Sequence, residues 1–334
     1  MAASNHLVGA CRKEPAPKPC TDIKKRQKGD DPIMEDTDIK ITQNRIDRSI
    51  QKTFHKALYT RFVQAISDYE LIKEGDSVAV CISGGKDSMC MAKLFYEIKR
   101  HNKFPFTVKY ILMDPGYRSE NLDLSKHNAR LLNIPLEIFE TPIFDSVFKI
   151  EKSPCYICAR MRRGYLYAKA KEMGCNKIAL GHHFDDVIST LLMGVFYSGQ
   201  YEAMMPKLKS TNFEGMELIR PLYYVREDDI KRWAAYNGLR FLGCACRFSE
   251  LSSAEDVTDS GMLSKRMETK ELIKTLKKTN PYVEDNIFAA MQNVTLNKVL
   301  GIKAGGKRYS FLDYYEDGFP IAIDRSSDDS SSLE

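Results

Sequence analysis

The chain has one tryptophan in 334 residues and no apolar run near the roughly eighteen residues that a membrane-spanning helix needs. Its first residues lack the apolar core of a secretory signal and the Arg-rich amphipathic pattern of an organelle leader. A cytoplasmic protein with no membrane partner is therefore expected. No internal repeat is apparent, which sets aside solenoids and propellers. Strong charge of one sign is also missing: the formal net charge is +5, which neither demands nor excludes a polyanionic partner. Nine cysteines are an odd set for a secreted disulfide framework and point to a reducing compartment. A hydrophobic fraction of 43% suits one large soluble domain or two small ones.

One segment rises above that background. Val78, Ala79, Val80, Cys81 and Ile82 form an apolar run that reads as a buried parallel strand, and it leads straight into Ser83, Gly84, Gly85, Lys86, Asp87 and Ser88. Apolar residues at helical spacing follow from Met89 to Arg100. A glycine-rich turn between strand and helix sets backbone N–H groups and a helix N-terminus where a phosphate can sit. The wording is not the Walker pattern, which needs four residues between its first glycine and a Gly-Lys-Ser/Thr ending.

Residues 1–40, rich in Lys, Pro, Asp and Ser, read as a disordered tail, and 325–334 as another. Ile46, Ile50, Phe54, Leu58 and Phe62 recur at a spacing of about four and predict a lead-in helix over about 42–70. Further strands are expected at 106–113, 136–139 and 177–180, with helices at 120–132 and about 159–173, the latter capped by Gly174. This alternation predicts an α/β fold: a doubly wound, Rossmann-like parallel sheet with an N-terminal helical lead-in. The sheet domain, with its cysteine site, is assigned to 41–250 and a C-terminal helical extension to 251–324. Ligands of such sheets bind at the carboxyl ends of the strands, so loops beginning at Ser83, Asp114 and Gly181 should converge.

Three further groups carry chemistry. After the strand at 177–180 come Gly181, His182, His183, Phe184, Asp185 and Asp186. The two carboxylates suit Mg²⁺ held together with nucleotide phosphates, or else they are N-terminal acids favoured by a helix dipole. Cys155 and Cys158 form a C-x-x-C, with Cys244 and Cys246 far downstream. A zinc site, a redox dithiol and an iron–sulfur cluster with three protein ligands all fit that spacing. Cys11, Cys20, Cys81, Cys90 and Cys175 read as unpaired thiols. Arg160, Arg162 and Arg163 lie in a basic stretch that suits either RNA phosphates or a solvated helix face.

These motifs together resemble the PP-loop ATP pyrophosphatases, and within them the TtcA-type tRNA 2-thiocytidine synthetases. The resemblance rests on SGGKDS, on CYICARMRRGYLYAKAKEMGCNKIALGHHFDDVISTLLMGVFYSG, on MMPKL and IRPLYYVRE, and on NPYVEDNIFAAMQNV. It implies that ATP, with Mg²⁺, activates the C2 oxygen of an anticodon-loop cytidine (position 32) as an adenylate, which sulfur then displaces. It assigns nucleotide binding to Ser83, Gly84, Gly85, Lys86, Asp87, Ser88, Asp114 and Gly181, and catalysis to Lys86, Asp87 and Asp185, with Asp185 and Asp186 as possible Mg²⁺ ligands. It also implies a [4Fe–4S] cluster on Cys155, Cys158 and Cys244, with Cys246 the alternative third ligand. Arg160, Arg162 and Arg163 would then grip tRNA, and Tyr165, Tyr167 and Tyr197 are candidates for base stacking. A cysteine-desulfurase-type sulfur donor and a homodimer are implied as partners.

Two rival readings differ in identifiable ways. Related 2-thiouridine synthetases usually carry extra C-x-x-C pairs near both termini, whereas here the N-terminal region has only Cys11 and Cys20. A non-catalytic zinc or iron–sulfur RNA-binding protein would not need Lys86, Asp87 and Asp185.

Overall fold

The computed structural model describes residues 36–101, 104–144, 154–242 and 261–316, with 154–156 and 261–264 described by backbone alone. The lead-in helix starts at α1 (Asp36–Arg48), within the segment read as a tail. It runs through wider π-helical turns at Ser49–Thr53 and His55–Thr60 into α2 (Arg61–Asp68). The reason lies in the spacing. Ile46, Ile50, Phe54, Leu58, Phe62 and Ile66 are all buried and fall four apart. In a pure α-helix a step of four residues drifts by about 40° each time, which would carry this stripe off the core. The wider turns, marked by the Phe54 N–H donating to the Ser49 carbonyl at 2.8 Å, keep it on one side.

A six-stranded sheet follows, with strand order β3-β2-β1-β4-β6-β5. Its strands are β1 (Ser77–Ile82), β2 (Thr107–Asp114), β3 (Leu136–Glu140), β4 (Lys177–Ala179), β5 (Lys207–Lys209) and β6 (Glu217–Ile219). Five run parallel, and β5 closes the edge as the antiparallel partner of β6. Being covered on both faces, β1 is apolar at every position from Val78 to Ile82. The intervening helices are α3 (Lys86–Arg100), α4 (Ser119–Leu131), α5 (Pro154–Glu172), α6 (Phe184–Met193) and α7 (Glu227–Tyr236). After β1 the chain builds outward through β2 and β3, then returns to the other side of β1 with β4. The switch point, where ligands of such sheets bind, is thus the crevice between β1 and β4.

Two expectations need correction. Helix α5 begins at Pro154, not near Ala159, so Cys155 and Cys158 stand in its first turn, three residues apart on one face. Proline suits that first helical position, where its missing N–H costs nothing. The C-terminal part contains α8 (Gly261–Thr279) and α9 (Val283–Ala290), but then adds a hairpin of β7 (Gly301–Ala304) and β8 (Lys307–Ser310). Its turn residues Gly305 and Gly306 both have positive φ, at 53° and 69°, as a two-residue type I′ turn demands.

Two buried polar clasps fix the lead-in helix to the sheet domain. Trp233 of α7 is fully buried and donates from Nε1 to Ser49 Oγ at 3.1 Å, and Asn237 Nδ2 donates to the same oxygen at 3.1 Å. Lys93 of α3 is fully buried, with Nζ 2.5 Å from Asp47 Oδ1 and 3.3 Å from Glu97 Oε1. Removing one member of such a group leaves an uncompensated buried charge. Lys93→Met should therefore cost about 3 kcal/mol in urea unfolding; an unchanged midpoint would contradict this account of the clasp.

Candidate active site

The turn after β1 is built by one hydroxyl. Ser88 Oγ donates to the Gly85 carbonyl at 3.0 Å, and in return accepts from the Ser83 N–H and the Ser83 hydroxyl, both at 3.1 Å. Gly84 sits at φ +81°, where a side chain is strained. A Cβ there would lie 2.6 Å from Leu242 Cδ1 and 2.7 Å from Ser125 Oγ. The neighbouring loop after β4 seats directly on this turn. A Cβ on Gly181 would fall 3.1 Å from Ser88 N and 3.3 Å from Asp87 C. Glycine at 181 lets the two loops touch.

Charged groups line the crevice. Lys86 Nζ lies 3.0 Å from both Asp87 Oδ2 and Glu227 Oε1. Burial would lower the Lys86 pKa, but Asp87 and Glu227 outweigh it and raise it. Burial would likewise raise Glu227, yet Lys86, Lys270 and His183 bring it down to about 2. Partial burial would raise Asp185 as well, but its contact with His183, the Glu227 N–H at 2.7 Å and the Arg226 charge bring it to about 2. Asp186 Oδ2 accepts the His183 N–H at 3.2 Å, as an acid in a first helical turn does. Asp186 thus caps α6, whereas Asp185 accepts the N–H of the first residue of α7. Asp87 Oδ1 is buried without a hydrogen bond, with His183 Nε2 at 3.9 Å. An orphaned buried carboxylate oxygen beside a phosphate-type loop fits a ligand that brings a cation with it. Among the described residues no three His, Cys, Asp or Glu side chains are grouped as a metal site.

The remaining candidates divide clearly. Asp114 ends β2 beside this crevice, but its Oδ1 accepts the Gly116 and Tyr117 N–H groups at 2.9 and 2.7 Å, which shapes its own loop. Cys158 is buried among Met113, Ile143 and Phe144, also at the carboxyl ends of β2 and β3. Arg162 Nη2 donates to Tyr117 Oη at 2.8 Å on the same side, while Arg160 is exposed and Arg163 half-buried. Tyr165 and Tyr197 are exposed, but Tyr167 is a core residue stacked on Phe213 at 5.1 Å and unavailable to a base. Cys11, Cys20, Cys244 and Cys246 lie outside the described residues. Leu242, two peptide links before Cys244, donates its N–H to the Gly84 carbonyl at 3.3 Å. Cys81, Cys90 and Cys175 are buried in the sheet domain outside any disulfide, with Cys81 pushed up to about 12 by burial.

Residues 46–244 match the family model described as a PP-loop domain. The tRNA-cytidine(32) 2-sulfurtransferase of Geotalea uraniireducens is 35% identical over 250 residues, covering 73% of this chain and 94% of that protein. The corresponding protein of Coxiella burnetii is 36% identical, covering 75% of this chain and 94% of its own length. This chain belongs to the tRNA-cytidine(32) 2-sulfurtransferase family. The resemblance drawn from the motifs is borne out. Among solved structures the chain shares its fold with the U34-tRNA thiolase NcsA from Methanococcus maripaludis, described with its [4Fe-4S] cluster. The TM-score is 0.54 at 22% identity, over 70% of this chain and 76% of that one.

Sequence reasoning missed Glu227, although it closes the family string IRPLYYVRE. Nothing in the local sequence says that an acid opening α7 will meet a lysine opening α3. The histidine pair, by contrast, yields a direct test. His182 is lowered to about 4 by burial and by the Arg220 charge. For His183 burial also works against the proton, but contacts with Asp185, Asp186 and Asp87 raise its pKa above 6.5. Its contribution to stability is thus fully present below pH 6.5 and lost as pH rises through the raised value. NMR titration should find the two neighbours on opposite sides of 6.5, and Asp186→Asn should lower His183; matching midpoints would refute this electrostatic account.

Proposed function

We propose that this protein is an ATP-dependent tRNA-cytidine 2-sulfurtransferase that converts cytidine 32 of tRNA to 2-thiocytidine. The observation that carries this reading is spatial. The loop at 83–88, the Gly181 loop and the first turn of α5 all lie at the carboxyl ends of adjacent strands, so activation and sulfur delivery can address one base. Ser83, Gly84, Gly85 and Ser88 bind phosphate, and Asp114 and Gly181 bound the nucleotide. Lys86, Asp87 and Asp185 carry the activating chemistry.

In the first step the cytidine O2 attacks the α-phosphorus of ATP, the Pα–O bond to the β-phosphate breaks, and pyrophosphate leaves with the electron pair. Lys86 offsets the charge that builds on the phosphate oxygens. Mg²⁺ would neutralise charge on the phosphates, and Asp87, whose Oδ1 makes no hydrogen bond, would hold it. Asp185 and Asp186 face the His183 ring at 3.5 and 3.4 Å and favour its protonated form. In the second step sulfur at the sulfide level, reached from the donor's persulfide by a thiol reductant, attacks C2; the C2–O bond breaks and AMP leaves with the original base oxygen. A [4Fe–4S] cluster on Cys155, Cys158 and Cys244, with Cys246 the alternative to Cys244, supplies the sulfur-handling chemistry when bound. The donor types suit that group: two cysteines stand three residues apart at the start of α5, and Cys158 is shielded from water.

Arg160, Arg162 and Arg163, on the same helix, contact the anticodon-loop phosphates, and the target base leaves its stack to reach the nucleotide. A cysteine-desulfurase-type donor supplies sulfur to a homodimeric, cytoplasmic enzyme. Among the described residues no helix is long and apolar enough to cross a membrane.

Mass spectrometry of tRNA nucleosides from cells with and without the gene should show loss of 2-thiocytidine alone. Loss of a 2-thiouridine instead would support the 2-thiouridine synthetase reading and overturn this one. Restoring the gene as Cys155→Ala should leave 2-thiocytidine absent while the purified variant still binds ATP. Asp87→Ala should keep the visible absorption of the anaerobically purified protein and lose the modification.

A further inference from the structure

Helix α8 lies beyond the matched PP-loop segment, yet it returns to the crevice. Ile273 is buried against Phe184 and Ile188 of α6, and Thr269 is buried beside it. Arg266 precedes Ile273 by seven residues, two helical turns, so both lie on one face with Lys270 between them. Docking of Ile273 therefore aims two cations at the carboxyl ends of β1 and β4. Lys270 Nζ lies 3.3 Å from Glu227 Oε2, the carboxylate whose other oxygen holds Lys86 at 3.0 Å. Arg266 Nη1 lies 3.8 Å from Asp186 Oδ1 and makes no hydrogen bond to a described residue.

A second contact locks this arrangement. Arg226, the residue before α7, stacks on the Phe184 ring at 3.7 Å and pairs with Glu284 and Asp285 of α9 at 2.8 and 2.5 Å. Lys277 of α8 shares Glu284 at 2.6 Å. The C-terminal helices are thus tied to the start of α6 and α7, the two helices that present Asp186 and Glu227.

We propose that Arg266 and Lys270 bind the β- and γ-phosphates of ATP, forming a wall of the triphosphate site opposite the loop at 83–88. This rests on the ATP-dependent reading given above. Asp186 and Glu227 hold the two cations loosely. Their side chains keep 45% and 36% of their exposure, so exchanging carboxylate for phosphate sacrifices little. When the cytidine O2–Pα bond forms and the Pα–O bond to the β-phosphate breaks, the electron pair goes to pyrophosphate. A guanidinium and an ammonium already paired to its oxygens take up that charge with no proton transfer.

The test is equilibrium binding of ATP and of AMP, each with Mg²⁺, to the full-length protein and to Arg266→Gln, Lys270→Gln and the double variant. Each single change should weaken ATP about tenfold and leave AMP within about twofold, because AMP lacks the phosphates addressed. The unfolding temperature should stay unchanged, and Arg266→Lys should recover part of the loss. Unchanged ATP affinity would overturn the proposal. So would equal weakening of ATP and AMP with a lowered unfolding temperature, which would make the pair structural. Loss of tRNA binding with intact ATP affinity would assign this face to RNA and overturn it as well. A wild-type protein that binds neither nucleotide would remove the underlying reading, whereas wild-type binding untouched by the variants removes the proposal alone.

Discussion

The site depends on one close contact, the seating of Gly181 on the backbone of Ser88. It lies where the chain, having built the sheet outward from β1, returns to lay β4 on the other flank. A side chain at 181 would force the loops apart. With them would go the spacing between the turn at 83–88 and the group of His183, Asp185 and Asp186. Lys86 and Asp87 on one loop and His183, Asp185 and Asp186 on the other face each other across that contact, on strand ends aligned by the parallel register.

Around it the charges are paired rather than bare. Lys86 is shared by Asp87 and Glu227, His183 by three carboxylates, and Asp185 by an imidazole and a backbone N–H. In this arrangement no charge of a highly ionised pocket is left wholly uncompensated. The arrangement also leaves cations that a polyphosphate can recruit. The cysteine side of the site is built differently. Cys158 stands in an apolar nest at the carboxyl ends of β2 and β3, and Tyr117 joins the Asp114 turn to Arg162. The two halves share strand ends but few side chains, which lets nucleotide and sulfur chemistry be tuned separately.

Much of this was legible in the sequence because the signals are local. An apolar run into SGGKDS specifies strand, turn and helix, and Gly174 at φ +74° ends α5 where the pattern placed its cap. Boundaries shifted where local chemistry competes. Pro154 opens α5 early and carries both cysteines into the helix, and the π turns after Arg48 obey a packing stripe that α-helical spacing cannot hold. The role of Glu227 and the inward faces of Arg266 and Lys270 could not be read this way. Each depends on a tertiary contact between distant segments: Lys86 with Glu227, Asp186 with Arg266, and Glu227 with Lys270. Tyr167 shows the opposite error. An aromatic in a basic helix looked available to RNA, but it packs on Phe213 and belongs to the core.

In the proposed reaction the nucleotide activates the base oxygen itself. This is tested most directly by placing oxygen-18 at the C2 carbonyl of cytidine 32 in an anticodon stem-loop and turning it over with ATP, a sulfide source and the anaerobically reconstituted protein. The account predicts that the label leaves in the phosphate of AMP, in step with 2-thiocytidine. Unlabelled AMP alongside thiolated product would contradict it.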